Sequence, residues 1–335
     1  MFIIKKVLIL FGGNSSEHYI SCKSCASVVK NIDKEKYDYE VVGISKENTW
    51  YKFSDDISYL ENGNWQKANI LEIDNIINYI KKFDVVFPVM HGTNAEDGNL
   101  QGFFDLFNVK YVGCKTLSSA LLMDKSITKL MLKSLDIPYV PYLLIEDKYK
   151  VDDIVNEIGF PMIIKPSNGG SSIGISKVIN KKELINAIKI AKRYDDKILV
   201  EKFVKAREFE VAVLQTSEKI ICSQIGEIKS ANEFYDYDAK YDNKDSYTII
   251  SNDLSEDIKL KIRKYALKLF ESLDCKCLSR IDFLYDEENN KVYLNEANTM
   301  PGFTDISMYP KLIENEGIKY KDLISILIDN AIGSH

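Results

Sequence analysis

Residues 279–298, SRIDFLYDEENNKVYLNEAN, hold two apolar runs around a polar turn at Glu287 to Asn290. With the preceding Cys277 they predict strands over 277–285 and 291–295, paired as an antiparallel hairpin. Asp282 and Glu296 then stand on neighbouring strands, and Asn298 follows Glu296 on the same face by the two-residue period. An unpaired charge inside an apolar strand is costly to bury. Three converging oxygen donors therefore suit Mg²⁺, which takes the rest of its shell from water and substrate phosphates; solvated strand carboxylates are the plainer alternative. Arg280 shares the face of Asp282, placed either to set a guanidinium beside a metal-bound phosphate or to pair with a neighbouring acid.

Upstream, strands are expected over 209–214 and 220–225, then the polar aromatic stretch EFYDYDAKYDNKDSY (233–247), then a helix over 256–273. Tyrosines interleaved with Asp and Lys are too polar for a core, and a lid closing over substrate fits them. Before that comes strand 160–164, the loop SNGGSSIG (167–174), a further strand, helix 181–191 and strand 198–200, a small α+β unit. The loop can offer successive backbone amides and the Ser171 and Ser172 hydroxyls to phosphate oxygens, with Lys165 at its base. It is no Walker loop, since no Gly-Lys-Ser/Thr ends it, and alone it is equally a flexible turn. Beside the three oxygen donors and further lysines at Lys125 and Lys240, nucleotide binding is the economical reading.

The first third alternates strand and helix: strand 7–11, helix 20–31, strand 39–44, helix 70–80, strand 85–90, a short helix after Gly98 and strand 109–112. This rhythm predicts a parallel sheet covered on both faces, with ligands at the carboxyl ends of its strands. Two of those ends are polar: GGNSSEH (12–18), and HGTNAEDG (91–98), which opens on His91. The first is not GxGxxG, so NAD is disfavoured; capping is the plain role for the second. A helix carrying Met123, Asp124 and Lys125 leads to strand 139–145, and the domains are expected at 1–115, 116–205 and 206–335.

With 335 residues, 45% hydrophobic and 28% charged, the chain is an ordinary globular protein of two or three domains. Its net charge of −6 excludes a global field for nucleic acid or an anionic membrane. The opening MFIIKKVLILFGG reads as a buried strand rather than a signal peptide, and no apolar run is long enough to span a bilayer. A soluble cytoplasmic protein is expected, its six cysteines reduced thiols; Cys22 and Cys25 form a CxxC inside a helix without a second pair.

Taken in order, LFGGNSSEH, FPVMHGTNAEDGNLQG, MDKSITK, IIKPSNGGSSIGISK, EKFVKAREFEV, FYDYDAKY, SRIDF and NEANTMPGFTDISMYPKL resemble the D-alanyl-D-alanine ligases of the ATP-grasp superfamily, over nearly the whole chain. The resemblance implies an α/β fold, α+β in its ATP-grasp part, with an N-terminal parallel-sheet domain and ATP held between two antiparallel sheets. It implies that Lys125, Lys165 and Lys240 contact the ATP phosphates, with Ser171 in the loop beside them. Glu201, Lys202, Phe203 and Val204 would line the adenine and Glu208 hold the ribose. Asp282, Glu296 and Asn298 would bind two Mg²⁺ (Mn²⁺ as a substitute), with a monovalent cation such as K⁺ as an optional addition. Glu17 would hold the ammonium of the first D-alanine, with His91 near it. Arg280 and the Gly302 amide would stabilise the oxyanion, and Ser307, followed by Met308, would take the carboxylate of the second D-alanine. Glu17, Ser172 and Tyr241 would be hydrogen-bonded together, and the enzyme would be a homodimer.

Two departures stand out. Ala95 occupies a position where glycine is common, and Asp305-Ile306 stand where relatives often carry Ser-His. A relative adding D-serine or D-lactate second, and a catalytically silent ATP-grasp binding protein, are the alternatives. Tyr241 and Met308 resemble the D-alanine-adding enzymes, and the silent protein would lack a metal ligand or phosphate lysine, which this chain does not.

Overall fold

The computed structural model describes residues 4–145, 148–229, 247–250 and 253–333. β1 (Lys5–Gly12) is buried from Val7 onward and pairs in parallel with β2 (Tyr37–Ile44) and β5 (Val85–Pro88). β3 (Trp50–Phe53) and β4 (Ile70–Glu72) extend the sheet antiparallel, giving the order β4-β3-β2-β1-β5. The expected parallel sheet is thus parallel only at its centre. The short link at 45–49 permits a hairpin, whereas a parallel return needs a crossover of a dozen or more residues. The expected helix 70–80 divides into β4 and α3 (Ile76–Ile80), whose start Asn75 caps by accepting from the Asn78 amide at 3.0 Å. Residues 109–112 contribute only a bridge between Val86 and Tyr111.

Alternation along β1 explains its two coverings. Val7, Ile9 and Phe11 pack on Cys22, Cys25 and Val28 of α1 (His18–Asn31) and on Leu60 of α2 (Ser58–Glu61). Leu8 and Leu10 pack on Ile80 and on Leu100 and Phe104 of α4 (Asn99–Leu106). Both CxxC thiols are therefore core groups, and burial pushes Cys22 up to about 12, far from a thiolate.

The helix expected across 123–125 is two helices, α5 (Thr116–Met123) and α6 (Lys125–Ser134). Asp124 breaks it because its carboxylate accepts from the Ser126 amide at 2.9 Å and so caps α6. The next sheet is antiparallel, in the order β6-β9-β7-β8: β6 (Tyr142–Ile145), β7 (Met162–Pro166), β8 (Ser176–Val178) and β9 (Ile198–Lys202). α7 (Val151–Ile158) and α8 (Lys181–Ala191) cover one face, through Ile154, Leu184 and Ile188.

A third sheet, antiparallel throughout, has the order β13-β12-β10-β14-β15, with β11 also on β10. Its strands are β10 (Arg207–Gln215), β11 (Ile220–Cys222), β12 (Gly226–Lys229), β13 (Tyr247–Ile250), β14 (Leu278–Asp286) and β15 (Lys291–Asn298). The strand expected over 220–225 splits because β11 pairs with 213–215 and β12 with 208–210, leaving 223–225 to carry the chain between them. α9 (Glu256–Ser272) covers one face through Ile258, Ile262 and Leu269, joined there by Leu122 of α5 and Leu132 of α6. α10 (Met308–Asn315) and α11 (Tyr320–Gly333) complete the chain; Leu312, Leu323 and Leu327 join Val7, Ile9 and Leu214 in one core, tying the third sheet to the first.

The β14–β15 hairpin carries one irregularity. Asp282 pairs with Glu296 but Phe283 pairs with Leu294, so Asn295 is an extra residue, a β-bulge. Val292, Leu294 and Ala297 face the α9 core with Ile281 and Phe283, while Glu296 and Asn298 lie opposite Asp282 and Arg280 on the other face. Among the described residues no helix is long and apolar enough to cross a membrane.

Candidate active site

The second and third sheets face each other across a cleft that runs back to the loops of the first. On its floor, β14 presents Arg280 and Asp282, β15 Glu296 and Asn298, and β10 Glu210, which pairs directly with Asp282. Arg280 donates from Nε to Asp282 Oδ1 at 2.8 Å and from Nη2 to Oδ2 at 2.7 Å, and its Nε lies 3.2 Å from Glu210 Oε2. Burial works against the guanidinium charge, but Asp282 and Glu210 more than offset it and raise the pKa well above its ordinary value. The Asn298 amide donates to Asp282 Oδ2 at 3.1 Å, and Lys125 Nζ sits 3.7 Å from Glu296 Oε2.

These oxygens fit a hard divalent cation. Asp282 and Glu296 are adjacent, and Asn298 offers an amide oxygen if its side chain turns. Among the described residues no group of three His, Cys, Asp or Glu side chains forms a ready-made cage. Two carboxylates and an amide leave coordination positions for water and phosphate, which is the way Mg²⁺ is usually held.

The glycine-serine loop forms the facing wall. Its base is anchored twice: the Lys125 amide donates to Ser167 O at 2.9 Å, and the Asn168 amide donates to Asp195 Oδ2 at 2.7 Å. Lys125 Nζ donates to Gly169 O at 2.7 Å. Among the described residues the amides of Gly169, Gly170 and Ser171 have no acceptor, which leaves them available to an anion. Asp124 steadies this corner: burial works against its charge, but hydrogen bonds from Lys197, Ser126 and Ser167 hold its carboxyl well below the usual range. Lys165 points into the cleft beside Glu201, with Nζ 2.9 Å from Oε2; Lys129 Nζ is 2.9 Å from Oε1. Ile163, Phe203, Val204 and Leu284, with Glu201, Lys202 and Glu208, line the deeper end, an apolar slot with a polar rim.

At the cleft's other end the first sheet contributes its two polar loops. Glu17 precedes α1, and its carboxylate takes the hydroxyl of Ser171, which links the loop to the N-terminal unit. Gly92 has φ +76, and a Cβ there would lie 2.6 Å from Glu17 Oε2; only glycine lets the loops close on that carboxylate. The His18 ring is fixed at both nitrogens: Nδ1 donates to Gly13 O at 2.6 Å and Nε2 accepts from Trp65 Nε1 at 3.0 Å. Ala95 is accommodated without positive φ, which falls instead on Asn94 at 66°. Burial, reinforced by nearby Glu17, pushes Glu96 up to about 8. His91 is buried, which lowers its pKa.

Ser307 stands at the start of α10, and its Oγ accepts from the Thr304 amide at 3.0 Å. A Cβ on Gly302 would lie 2.7 Å from that Oγ, so glycine is what brings this peptide so close to the serine. Met308 is buried yet lines the cleft. Asp305 is held by Ser27 of α1, whose hydroxyl donates to Oδ1 at 2.8 Å, while Ile306 is 63% exposed. Lys240 and Tyr241 lie outside the described residues. Sequence reasoning missed Glu210, Lys129 and Ser24. Glu210 is an acid inside the apolar strand expected over 209–214, a signal that was present; the other two meet partners far along the chain.

Two antiparallel sheets enclosing a cleft, with a glycine-serine loop on one wall and paired carboxylates on the other, define an ATP-grasp enzyme. Residues 6–114 match the family model described as D-ala D-ala ligase N-terminus, and residues 131–329 the one described as D-ala D-ala ligase C-terminus. A D-alanine–D-alanine ligase of Clostridium acetobutylicum is 46% identical over 336 residues, 98% of each chain. The structure of the D-alanine-D-alanine ligase from Coxiella burnetii has a TM-score of 0.87 at 32% identity, covering 99% of this chain and 95% of that one. VanG D-Ala:D-Ser ligase from Enterococcus faecalis has 0.86 at 33% identity, covering 98% and 100%. The chain belongs to the D-alanine–D-alanine ligase family, and it is an enzyme, a ligase.

Proposed function

We propose that the protein joins two D-alanines to D-alanyl-D-alanine with ATP and Mg²⁺, through a D-alanyl phosphate, releasing ADP and phosphate, in the cytoplasm and for peptidoglycan precursors. The observation that carries this reading is the convergence on one cleft of Glu17, Arg280, the Gly302 amide and the Asp282–Glu296 pair. A carboxylate is a poor electrophile, and phosphorylation makes it an acyl donor. Bound Mg²⁺ would supply charge neutralisation at the phosphates. Lys125, Lys165, Lys240 and the loop amides with Ser171 and Ser172 would hold the phosphates. Glu201 to Val204 would receive the adenine, and Glu208 the ribose hydroxyls.

Glu17, with His91 behind it, would orient the ammonium of the first D-alanine. Arg280 would turn its fork from Asp282 to the acyl phosphate, and Gly302 N–H would donate to the oxyanion formed when the second amine attacks. Ser307 and the start of α10 would take the second carboxylate, with Met308 closing the apolar side of that pocket. Tyr241, with Ser172, would keep water from the acyl phosphate. The test is phosphate release with Mg-ATP and D-alanine alone, then with D-serine or D-lactate added, product masses being read. The dipeptide of two D-alanines is expected as the main product; a dominant D-alanyl-D-serine or D-alanyl-D-lactate, or no product, overturns the reading.

A further inference from the structure

The peptide segment Met300–Thr304, which carries Gly302, is held at Met300 and at the Phe303 amide by side chains from the first sheet's unit, and at the Phe303 carbonyl and Thr304 by Tyr320 and Ser307. Met300 N–H donates to Glu96 Oε1 at 3.0 Å, and Glu96 Oε2 accepts from the Gly92 amide at 2.8 Å. The carbonyl of Met300 lies 3.0 Å from His91 Nδ1. A carbonyl only accepts, so Nδ1 carries the ring proton and Nε2, 3.0 Å from Ser24 Oγ, accepts the Ser24 hydroxyl proton. Ser24 Oγ in turn accepts from Phe303 N–H at 3.2 Å. Thr304 N–H donates to Ser307 Oγ, and Pro301 has no N–H. Among the described residues Gly302 N–H alone in this segment has no acceptor.

We propose that Ser24, acting through His91, and Glu96 are positioning residues that clamp the peptides flanking Gly302, so that its N–H stands preorganised as the oxyanion donor. The inference rests on the ligase reading above. Preorganised donors cost no reorganisation at the moment of reaction, which is where oxyanion stabilisation gets its size. Ser24 is fully buried on α1, far in sequence from the segment it holds, and it takes the Phe303 amide on one flank of Gly302 in the chain while Glu96 takes the Met300 amide on the other. Neither side chain need contact a reacting atom. Their effect belongs to the transition state, because only there does charge develop opposite Gly302.

The test uses Ser24→Ala and, independently, Glu96→Gln in the full chain, with thermal unfolding and ADP affinity measured beside kinetics. Each variant is expected to lose about 10- to 100-fold in kcat, the scale of a displaced rather than deleted catalytic donor. The KM values for Mg-ATP and the first D-alanine should stay within about twofold, since uniform binding is untouched. Affinity for a tetrahedral phosphinate mimic of the adduct should fall in parallel with kcat. The double variant should lose less than the product of the single losses, because both act on one segment. A kcat within twofold of the parent in either variant overturns the clamp. So does a kcat loss matched by an equal loss of ADP affinity, the mark of a general structural effect. Failure of the parent enzyme to make dipeptide would sink the ligase reading instead, and the parent's own product assay tells the two apart.

Discussion

Glu201 is buried between two lysines, each 2.9 Å from one of its oxygens, and the side chains of Lys129, Lys165 and Glu201 are 2%, 6% and 5% exposed. Burial opposes the carboxylate charge, but the lysines overcome it and hold its pKa below the usual range; burial, as the largest effect, also lowers Lys129. Glu201→Gln keeps the shape and leaves two ammonium groups facing each other. Breaking a buried pair by removing one partner costs about 3–5 kcal/mol. At about 2–4 °C per kcal/mol for a domain of this order, the first unfolding midpoint of the nucleotide-free protein should fall by at least about 5 °C.

The pH dependence has a definite sign. In the parent the lowered carboxyl contributes fully above the ordinary carboxylate pKa and is lost only as pH falls through its folded value, so pH 6 to 9 is flat for this group. In the variant a lysine would shed its proton on folding, so the unfolded chain binds more protons and stability rises from pH 6 to 9. Adding Lys129→Met, which keeps the aliphatic stem and removes one charge, should restore more than half of the lost midpoint. Unfolding followed by calorimetry or near-UV circular dichroism reads both. A midpoint within about 1 °C of the parent, or a double variant less stable than Glu201→Gln alone, would refute the buried-pair argument.

Arg280→Lys should lose most turnover with the fold intact, since a point charge cannot reproduce the two-pronged donation now made to Asp282; wild-type-like kcat would make Arg280 structural. Ser307→Ala should raise the KM of the second D-alanine by roughly 10- to 150-fold, about 1.5–3 kcal/mol for a hydrogen bond to a charged partner; an equal rise for the first substrate would show the second to be placed wrongly. Deleting Asn295 removes the bulge, forcing either Glu296 into the core or Leu294 out of it. Turnover should vanish and the unfolding midpoint drop, while Asn295→Ala, which keeps the residue count, should retain both; an active deletion variant would refute this account.

What the sequence made legible is chemistry carried by neighbours along the chain. Arg280, Asp282, Glu296 and Asn298 lie within one hairpin, and the loop at 167–174 announces itself by composition, so periodicity and turn residues were enough to find both. The strand–helix rhythm of the first third gave the parallel centre of its sheet, and missed β3 and β4 because short antiparallel edge strands carry little pattern of their own. Partnerships across long separations were not legible. Glu201 meets Lys129, Ser24 meets Phe303 and Ser171 meets Glu17 only once three sheets have packed, and no local spacing encodes that.

The bulge at Asn295 shows why even the legible part needed the fold to finish it. Val292, Leu294, Glu296 and Asn298 share one parity, and an uninterrupted period of two would put all four on one face. β15 has two duties that conflict under that rule: it must bury Val292 and Leu294 against α9, and it must turn Glu296 and Asn298 to the cleft. One extra residue resolves the conflict, and Ala297, small enough for the core side, takes over after the switch. A bulge also increases local twist. It lies where β15 leaves the core and runs toward Met300 and Gly302, the segment gripped by Ser24, His91 and Glu96. The irregularity that turns Glu296 to the cleft thus comes just before the clamped peptide, so the placement of the Glu296 carboxylate and that of the Gly302 N–H are set from one short piece of chain.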